Sequence, residues 1–396
     1  MLDRIWSSMP SLPFTPKGRR IMVCGVPMLE ADTPRSKDGS YVRNGSAGRA
    51  STFREQSVQL PVEPSQFFVF GAMGCPWAHR TIIVHKLMGY GDKVPLLTSK
   101  GWWPLSAGLP ALATGGWCMS DAAPSQALIN APAEHRAANV AGEPFHYWRL
   151  YASADKEYSG RVTCPILWDA KRATIVNNES AEVIRLLNEL PLRSLASFAG
   201  PDLYPPNLRE EIDQVNAKVL AGLNNCVYRM GFATKSDAYE EALKLLKETL
   251  QWLEERMASR THLVGNTLTE ADVRAYTTLI RYDHSYFHFF RANQAGRLRC
   301  KYPALHAYLR RLYSLPAFRT TTHHTTYPSL YSIICMWKGR RIANTCRIAE
   351  VGIFTLMRAL APDTPNWRWR LAGCLSLPLR LLCAYVDPLP NLSLLD

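Results

Sequence analysis

The sequence lacks the paired cysteines that organise a disulfide framework or a structural zinc site. Its ten cysteines stand singly, at positions 24, 75, 118, 164, 226, 300, 335, 346, 374 and 383, without a CxxC pair. In a chain of 396 residues this distribution argues against a disulfide-stapled fold and excludes zinc-ribbon spacing. Free thiols in a reducing compartment are the simpler interpretation, so we expect a cytoplasmic protein.

Long hydrophobic runs and blocks of basic residues are also missing. The most apolar late segments, 351–362 and 371–386, are interrupted by arginines and fall short of the roughly 20 apolar residues of a spanning helix. Asp3 and two early prolines make a poor signal peptide, with a mitochondrial presequence as the weaker alternative. The formal charge is +13, but the longest basic cluster is KGRR at 338–341. We therefore expect a soluble protein with neither a membrane nor a nucleic-acid partner.

Composition and periodicity divide the chain into four parts. Residues 1–60 are rich in Pro, Gly, Ser and Arg and indicate an irregular extension. Residues 61–195 have an α/β pattern, although 91–146 within them cannot be assigned. Residues 200–315 are typical of an all-α domain with long amphipathic helices. Residues 316–396 have neither a steady period nor clear caps and are unassigned.

Sequence patterns predict several strands and helices within these parts. The run QFFVFGA at 66–72 is typical of a strand buried on both faces, and helical spacing follows until Gly89. A hairpin over 161–178 and a helix from 179 complete the α/β part. In the all-α part, an amphipathic helix covers 237–257 and a capping box joins Thr269 to Asp272.

Cys75 stands at the junction between the first strand and its helix. A residue just before a helix faces unpaired backbone N–H groups and the positive end of the helix dipole, and Pro76 suits the first helical position. Both influences favour the thiolate, so we predict a lowered pKa and a nucleophilic thiol; the alternative is a small buried residue. His79 and Arg80 would add positive charge if they point back. Because position 78 is alanine, CxxC cycling is excluded and mixed-disulfide chemistry with an external thiol remains.

Two further features follow Cys75 along the chain. Pro165 opens a strand, where a cis peptide is a frequent reason for a proline. The sequence NNES places Ser180 at a helix start, where the hydroxyl and backbone N–H could bind a carboxylate or simply cap the helix. A thiol, a strand-opening proline and this helix start, in that order, fit a thioredoxin-like half-domain that binds a peptide thiol such as glutathione.

The chain resembles the glutathionyl-hydroquinone reductases, the Xi class of the glutathione transferase superfamily, close to the Omega class. The resemblance implies an N-terminal thioredoxin-like domain, a C-terminal helical domain and a homodimer. The segments that carry it are CPWAHRTIIVHKL at 75–87, residues 158–188, 202–257 and 263–293, and STFR at 51–54.

The resemblance also implies roles for individual residues. In the family, the motif cysteine attacks the sulfur of a glutathionyl-hydroquinone, hydroquinone leaves, and a second glutathione resolves the cysteine–glutathione disulfide. Glutathione is thus a co-substrate in quinone detoxification, and no metal is expected. Carried over by position, the resemblance implies that Cys75 is the nucleophile and that the Cys164 backbone, beside Pro165, pairs with glutathione. Glu179 and Ser180 would bind the γ-glutamyl end, and Tyr228 and Tyr286 would line the hydroquinone pocket.

The chain departs from the family at several positions. The family's glutathione-contacting tryptophan is assigned to Trp102, although GGWC at 115–118 competes for the role, and Arg149 is a candidate basic contact. The family usually has valine where this chain has Cys164. We hypothesise that Cys164 forms a disulfide with Cys75 under oxidation.

Two other functions stay open. One is a more general deglutathionylase or dehydroascorbate reductase of Omega type. The other is a non-catalytic binding protein with the glutathione transferase fold, considered because 91–146 and the tail depart from the family. A metal site is also conceivable at four histidines, although no motif places a carboxylate with them: His284, His288, His323 and His324.

Overall fold

The computed structural model describes the two halves of the predicted architecture. The residues described are 22–23, 26–27, 53, 58, 61–99, 101–103, 116–119, 145–155, 158, 162–189, 191–198 and 200–324. The expectations for most of the N-terminal extension, for part of 91–146 and for the tail after residue 324 lie outside the described residues.

The described strands form three sheets. Their bounds are β1 Met22–Val23, β2 Val26–Pro27, β3 Phe67–Ala72, β4 Leu96–Ser99, β5 Gly101–Trp103, β6 Gly116–Met119, β7 Phe145–His146, β8 Ile166–Asp169 and β9 Thr174–Asn177. Strands β1 and β2 form an antiparallel pair, and the main sheet has the order β4-β3-β8-β9. Within it, β3 runs parallel to β4 and antiparallel to β8, and β8 runs antiparallel to β9. The central β3 is buried at every residue, which confirms the expected strand.

The stretch that sequence patterns left unassigned contributes strands of its own. Strand β4 lies in the main sheet, and β5, β6 and β7 form a separate antiparallel sheet. The predicted hairpin is confirmed as β8 and β9, and Ala173 in its turn has a left-handed φ of 51°. The two-residue β7 and three-residue β5 are too short to give a periodic signal in the sequence.

The helices alternate with strands in the first part and follow one another in the second. Their bounds are α1 Pro76–Met88, α2 Trp148–Ala154, α3 Ser180–Asn188, α4 Arg209–Val219, α5 Cys226–Gly231, α6 Ser236–Met257, α7 Glu270–Arg281, α8 Phe287–Phe289, α9 Leu298–Lys301, α10 Pro303–Ser314 and α11 Pro316–Arg319. Helix α1, which follows Cys75, packs against β3, α3 and α7 and so contacts both parts of the protein. It ends where expected, at Gly89 with φ 63°.

Helix α7 is the centre of the helical part, and each of its residues is buried. The predicted capping box is confirmed: Asp272 accepts from the Thr269 backbone N–H at 2.9 Å and from its hydroxyl at 3.2 Å. The helix does not continue as a regular α-helix, because a π-helical segment follows at Tyr282–Tyr286. Within the described ranges, no helix combines the length and the apolar composition that crossing a bilayer requires.

Candidate active site

Cys75 occupies the N-cap position of α1, directly after the short loop that leaves β3. Its backbone is extended (φ −79°, ψ 118°), and Pro76 takes the first helical position. The side chain is 8% exposed, and its Sγ donates to the Cys164 carbonyl oxygen at 3.7 Å. The expected strand–thiol–helix junction is therefore confirmed, and the thiol lies just beneath the surface.

Opposing influences act on the ionisation of Cys75. Burial raises its pKa, but a hydrogen bond from the Cys164 thiol, the backbone N–H groups of Ala78 and Trp77 and the charge of Arg281 lower it, to about 7. A thiol with this pKa is about half ionised at neutral pH, whereas an unperturbed cysteine is only a few per cent ionised. The helix N-terminus thus acts as the sequence predicted.

The positive charge near Cys75 belongs to Arg281 on α7. Its Nη1 donates to His79 Nδ1 at 3.0 Å, and its Nη2 donates to the Met73 carbonyl oxygen, in the loop before the thiol, at 3.3 Å. Since arginine only donates, His79 Nδ1 must accept, and Nε2–H then donates to Thr321 Oγ1 at 3.0 Å. Burial and the Arg281 charge hold the pKa of His79 well below its usual range. His79 is therefore neutral, and the expectation that it supplies charge is wrong.

Arg80 also points elsewhere than expected. Its Nη2 donates to Asn224 Oδ1 at 2.6 Å, and its guanidinium lies over the Trp77 ring, 4.4 Å from the centroid. Its Nη1 reaches Ser180 Oγ at 3.5 Å. Asn224 in turn donates to Thr278 Oγ1 at 2.7 Å on α7. Arg80 therefore joins α1 to the start of α3 and to the helical part, rather than contributing its charge to the Cys75 thiol.

The Cys164–Pro165 peptide is cis, which confirms the expectation for Pro165. Cys164 is 5% exposed, and its carbonyl oxygen accepts from the Cys75 thiol at 3.7 Å. Burial and the neighbouring Cys75 raise the pKa of Cys164 well above its usual range, so Cys164 keeps its proton when Cys75 ionises. Its backbone N–H donates to no acceptor within the residues that the structure describes, which leaves it available to a ligand.

Helix α3 begins at Ser180, with Glu179 as its N-cap. The Glu179 carboxylate accepts from the Ala181 N–H at 3.5 Å and from the Ser180 hydroxyl at 3.4 Å. These contacts are long, so the capping interpretation and a ligand-binding role are compatible at this helix start. In the first turn, the Glu182 N–H donates to the Glu179 carbonyl oxygen at 2.9 Å, whereas the Ala181 N–H makes only the long contact with the Glu179 carboxylate.

Two remaining predicted contacts lie in or near the small sheet. Trp102 pairs with Trp117 across β5 and β6, which puts the two competing tryptophan segments side by side. The Trp102 side chain lies outside the described residues. Arg149 is half-buried on α2, the helix that packs against β9, and β9 leads into α3.

Tyr228 and Tyr286, which the resemblance assigns to the hydroquinone pocket, lie close together. Their hydroxyl oxygens are 3.4 Å apart and their ring centroids 5.9 Å apart. The two rings belong to an aromatic cluster that also contains three rings missed by sequence reasoning: Trp77, Phe232 and Phe290. Trp77 lies 6.5 Å from Tyr228 in the first turn of α1, so the cluster is at the same helix end as Cys75.

The histidines considered for a metal site do not gather into one. The His284 and His324 rings are 5.4 Å apart, but no group of three or more His, Cys, Asp or Glu among the described residues could hold a metal ion. Burial lowers the pKa of both imidazoles, that of His324 to about 4.

A cavity of about 300 Å³ lies between α3, α4 and α7, apart from Cys75. Arg185 and Arg274 line it, and both pair with the buried Glu270 carboxylate, at 2.8 and 2.9 Å. No predicted site residue lines this cavity, so the thiol site is defined by side-chain chemistry rather than by cavity volume.

We expect the alkylation rate of Cys75 by iodoacetamide to rise with pH around a midpoint of about 7. Acidification protonates the thiolate, so the rate should fall as the pH drops through that midpoint. Arg281→Met removes a charge that stabilises the thiolate and should move the midpoint upward. The control Arg299→Met, at an exposed position, should leave the midpoint unchanged. Mass spectrometry of the tryptic peptide 55–80 measures the rate. An unchanged midpoint in Arg281→Met would contradict the assignment of the charge.

Family models for the glutathione S-transferase N-terminal and C-terminal domains match residues 74–190 and 236–311. The chain is 37% identical over 262 residues to glutathionyl-hydroquinone reductase PcpF of Sphingobium chlorophenolicum, covering 65% of this chain and 74% of that protein. It is 36% identical over 294 residues to glutathionyl-hydroquinone reductase YqjG of Escherichia coli K12, covering 73% and 80%. A glutathione S-transferase omega-like 2 of Schizosaccharomyces pombe is also 36% identical over 294 residues, covering 72% and 86%.

Solved structures give the same result. The Xi glutathione S-transferase of Phanerochaete chrysosporium has a TM-score of 0.60 at 33% identity, covering 75% of this chain and 89% of that one. The glutathione-bound structure of YqjG has a TM-score of 0.56 at 30% identity, covering 80% and 88%. These similarities confirm the fold class expected from the sequence, a thioredoxin-like domain followed by a helical domain.

Proposed function

Since the chain belongs to the family of the glutathionyl-hydroquinone reductases, the Xi class of the glutathione transferases, we propose that it reduces glutathionyl-hydroquinones with Cys75 as its nucleophile. It is an enzyme and uses glutathione chemistry. The observation that carries the proposal is the Cys75 thiol itself: a helix-capping cysteine with a pKa of about 7 beside an aromatic cluster. Within its motif no second thiol is available.

The reaction divides into two transfers. The Cys75 thiolate attacks the glutathione sulfur of the conjugate, the carbon–sulfur bond to the ring breaks, and the ring carbon takes a proton as hydroquinone leaves. A sulfur–sulfur bond between Cys75 and glutathione remains. A second glutathione thiolate then attacks this disulfide, which releases oxidised glutathione and restores the Cys75 thiolate. The electrons that reduce the ring thus come from two glutathione-derived sulfurs.

Glutathione is the co-substrate, and the glutathione-bound structure of the relative YqjG supports this choice. We propose that the Cys164 backbone pairs with the peptide and that Glu179 and Ser180 hold its γ-glutamyl end at the start of α3. Trp102 and Arg149 are the further proposed contacts. A carboxylate at this position would gain from the positive end of the α3 dipole and from the weakly bonded N–H of Ala181.

The aromatic cluster suits the quinone-derived half of the substrate. A flat ring can pack edge-to-face or offset against Trp77, Tyr228 and Tyr286. The tyrosine hydroxyls are the groups that can hydrogen-bond or protonate the leaving ring. The aromatic cluster therefore favours reduction of aromatic conjugates over a general deglutathionylase activity. The similarity to an omega-like protein is the observation that supports the general activity as an alternative.

Two further properties are part of the proposal. We place the enzyme in the cytoplasm, because single free thiols suit a reducing compartment. We also propose that it works as a homodimer, as the family resemblance implies. Its partners are then glutathione, the glutathionylated substrate and a second copy of the chain.

Turnover of glutathionyl-menadione tests the function. Purified protein with glutathione should form one menadione and one oxidised glutathione for each conjugate consumed, since conjugate and product are both at the quinone level; chromatography and coupled glutathione reductase follow the two products. Dehydroascorbate and the mixed disulfide of glutathione with mercaptoethanol serve as comparison substrates. Equal or faster turnover of the comparison substrates would favour the Omega-type alternative, and no turnover of any would favour a binding protein.

The double variant Tyr228→Phe with Tyr286→Phe should lose about 10²-fold in turnover of glutathionyl-menadione, because no hydroxyl is left to protonate the leaving carbon. Its turnover of the mercaptoethanol mixed disulfide should change little, since a thiolate leaves without that proton. An equal loss on both substrates would show that the tyrosines serve the fold rather than proton transfer.

A further inference from the structure

Two thiols that lie far apart in the sequence meet at the active site. Cys75 and Cys164 are separated by 89 positions, yet Cys75 Sγ is 3.7 Å from the Cys164 carbonyl oxygen. Each thiol perturbs the pKa of the other, and the side chains are 8% and 5% exposed. Both are free cysteines. The second thiol that the CPWA motif lacks is thus supplied from the cis-proline turn.

We propose that Cys164 is an intramolecular resolving thiol, which displaces glutathione from Cys75 and forms a Cys75–Cys164 disulfide. The proposal rests on the proposed function, which creates the Cys75–glutathione disulfide in the first transfer. It also revises the inference from Ala78: CxxC cycling is absent, but dithiol cycling through tertiary contact is available.

The step balances without any added oxidant. The Cys164 thiol loses its proton and attacks Cys75 Sγ; the bond from Cys75 to the glutathione sulfur breaks, and glutathione leaves as a thiolate that takes up the proton. The oxidation level is unchanged, because one disulfide is exchanged for another. Two glutathione molecules then reduce the Cys75–Cys164 disulfide and leave as oxidised glutathione. The overall stoichiometry equals that of direct resolution.

The charge on Cys75 determines when the Cys164 thiol can ionise. While Cys75 is a thiolate, its charge and burial keep the proton on Cys164, so Cys164 assists Cys75 as a donor. Once Cys75 is bonded to glutathione, that negative charge is gone and Cys164 no longer faces a like charge.

Intramolecular attack also has a kinetic advantage. The Cys164 backbone already lies 3.7 Å from the sulfur that its thiol must reach, whereas a second glutathione must first bind. When glutathione is scarce, the enzyme would rest as an internal disulfide. That form protects the reactive Cys75 from oxidation to sulfinic and sulfonic acids, which thiols do not reverse.

The test uses glutathione disulfide as the glutathionyl donor, so that it does not depend on quinone chemistry. Reduced, full-length protein is treated with this reagent, free glutathione is removed, and the product is quenched in acid. Remaining thiols are blocked with N-ethylmaleimide before digestion with trypsin at neutral pH, so that disulfides do not exchange. Cys75 lies in peptide 55–80 and Cys164 in peptide 162–171. In the natural protein we expect these two peptides to be joined by a disulfide. In Cys164→Val and Cys164→Ser we expect peptide 55–80 to keep its glutathionyl group.

A buried thiol elsewhere provides the matched control. Cys226 is buried, and its Sγ donates to the Ala242 carbonyl oxygen, so Cys226→Ala should form the joined peptides as the natural protein does. Circular dichroism checks that each variant is folded, and two different residues at position 164 guard against a packing effect of one of them.

Two results would overturn the proposal. One is a glutathionyl group that persists on peptide 55–80 of the natural protein for as long as it does in Cys164→Val. The other is the absence of joined peptides both with glutathione disulfide and with diamide, which oxidises neighbouring thiols directly. Neither result concerns turnover of glutathionyl-menadione by the natural protein. That turnover tests the proposed function separately.

Discussion

Replacing Cys75 by serine is expected to abolish turnover of glutathionyl-menadione, with a loss of at least about 10³-fold. A serine hydroxyl in the same place stays protonated at neutral pH, whereas the helix N–H groups of Trp77 and Ala78 and the Arg281 charge hold the cysteine thiol near a pKa of about 7. Oxygen also cannot form the disulfide through which the two transfers are linked. The measurement is the production of menadione and oxidised glutathione under saturating substrate.

The loss should be chemical rather than structural. Cys75→Ser replaces one small N-cap side chain by another, and serine is itself a favoured N-cap, so the urea midpoint should move little. Cys226→Ala serves as the control for loss of a buried thiol and should retain turnover. If Cys75→Ser turned over the conjugate within about tenfold of the natural rate, covalent catalysis at this position would be refuted.

Replacing Asp272 by alanine is expected to lower the free energy of unfolding by about 3–5 kcal/mol at pH 7. The Asp272 carboxylate is fully buried and accepts from the backbone N–H groups of Leu263 and Thr269, each at 2.9 Å, and from the Tyr308 hydroxyl at 2.7 Å. Alanine would leave these buried donors without their acceptor at the start of the central helix α7. Urea unfolding followed by circular dichroism measures the change.

An exposed aspartate in an equivalent position provides the comparison. Asp237 lies in the first turn of α6, where it interacts with the helix dipole from the surface. Asp237→Ala should cost about 0.5 kcal/mol, because water can replace what the carboxylate supplied. Equal effects of the two substitutions would show that the buried hydrogen bonds of Asp272 add nothing beyond an ordinary dipole interaction.

Local physics made much of the fold readable from the sequence. The buried strand β3 has a continuous apolar run, α1 is framed by Cys75 and Gly89, and the capping box of α7 follows a short consensus. Each signal depends on residues within a few positions of one another. The π-helical segment at 282–286 and the three-stranded sheet around Trp102 and Trp117 escaped prediction, since neither has a local pattern of sufficient length.

By itself, the sequence determined where the reactive thiol lies, because a cysteine before Pro76 at a strand-to-helix junction needs only neighbouring backbone to be activated. It also determined the family. Only the tertiary structure decided which cation lowers the pKa of the Cys75 thiol. That cation is Arg281, which donates to the buried His79, 202 positions earlier in the chain, and leaves His79 neutral. The approach of Cys164 to Cys75 was likewise settled by the fold. Spacing along a chain cannot encode such pairs, since sheet pairing and helix packing, rather than sequence distance, bring their side chains together.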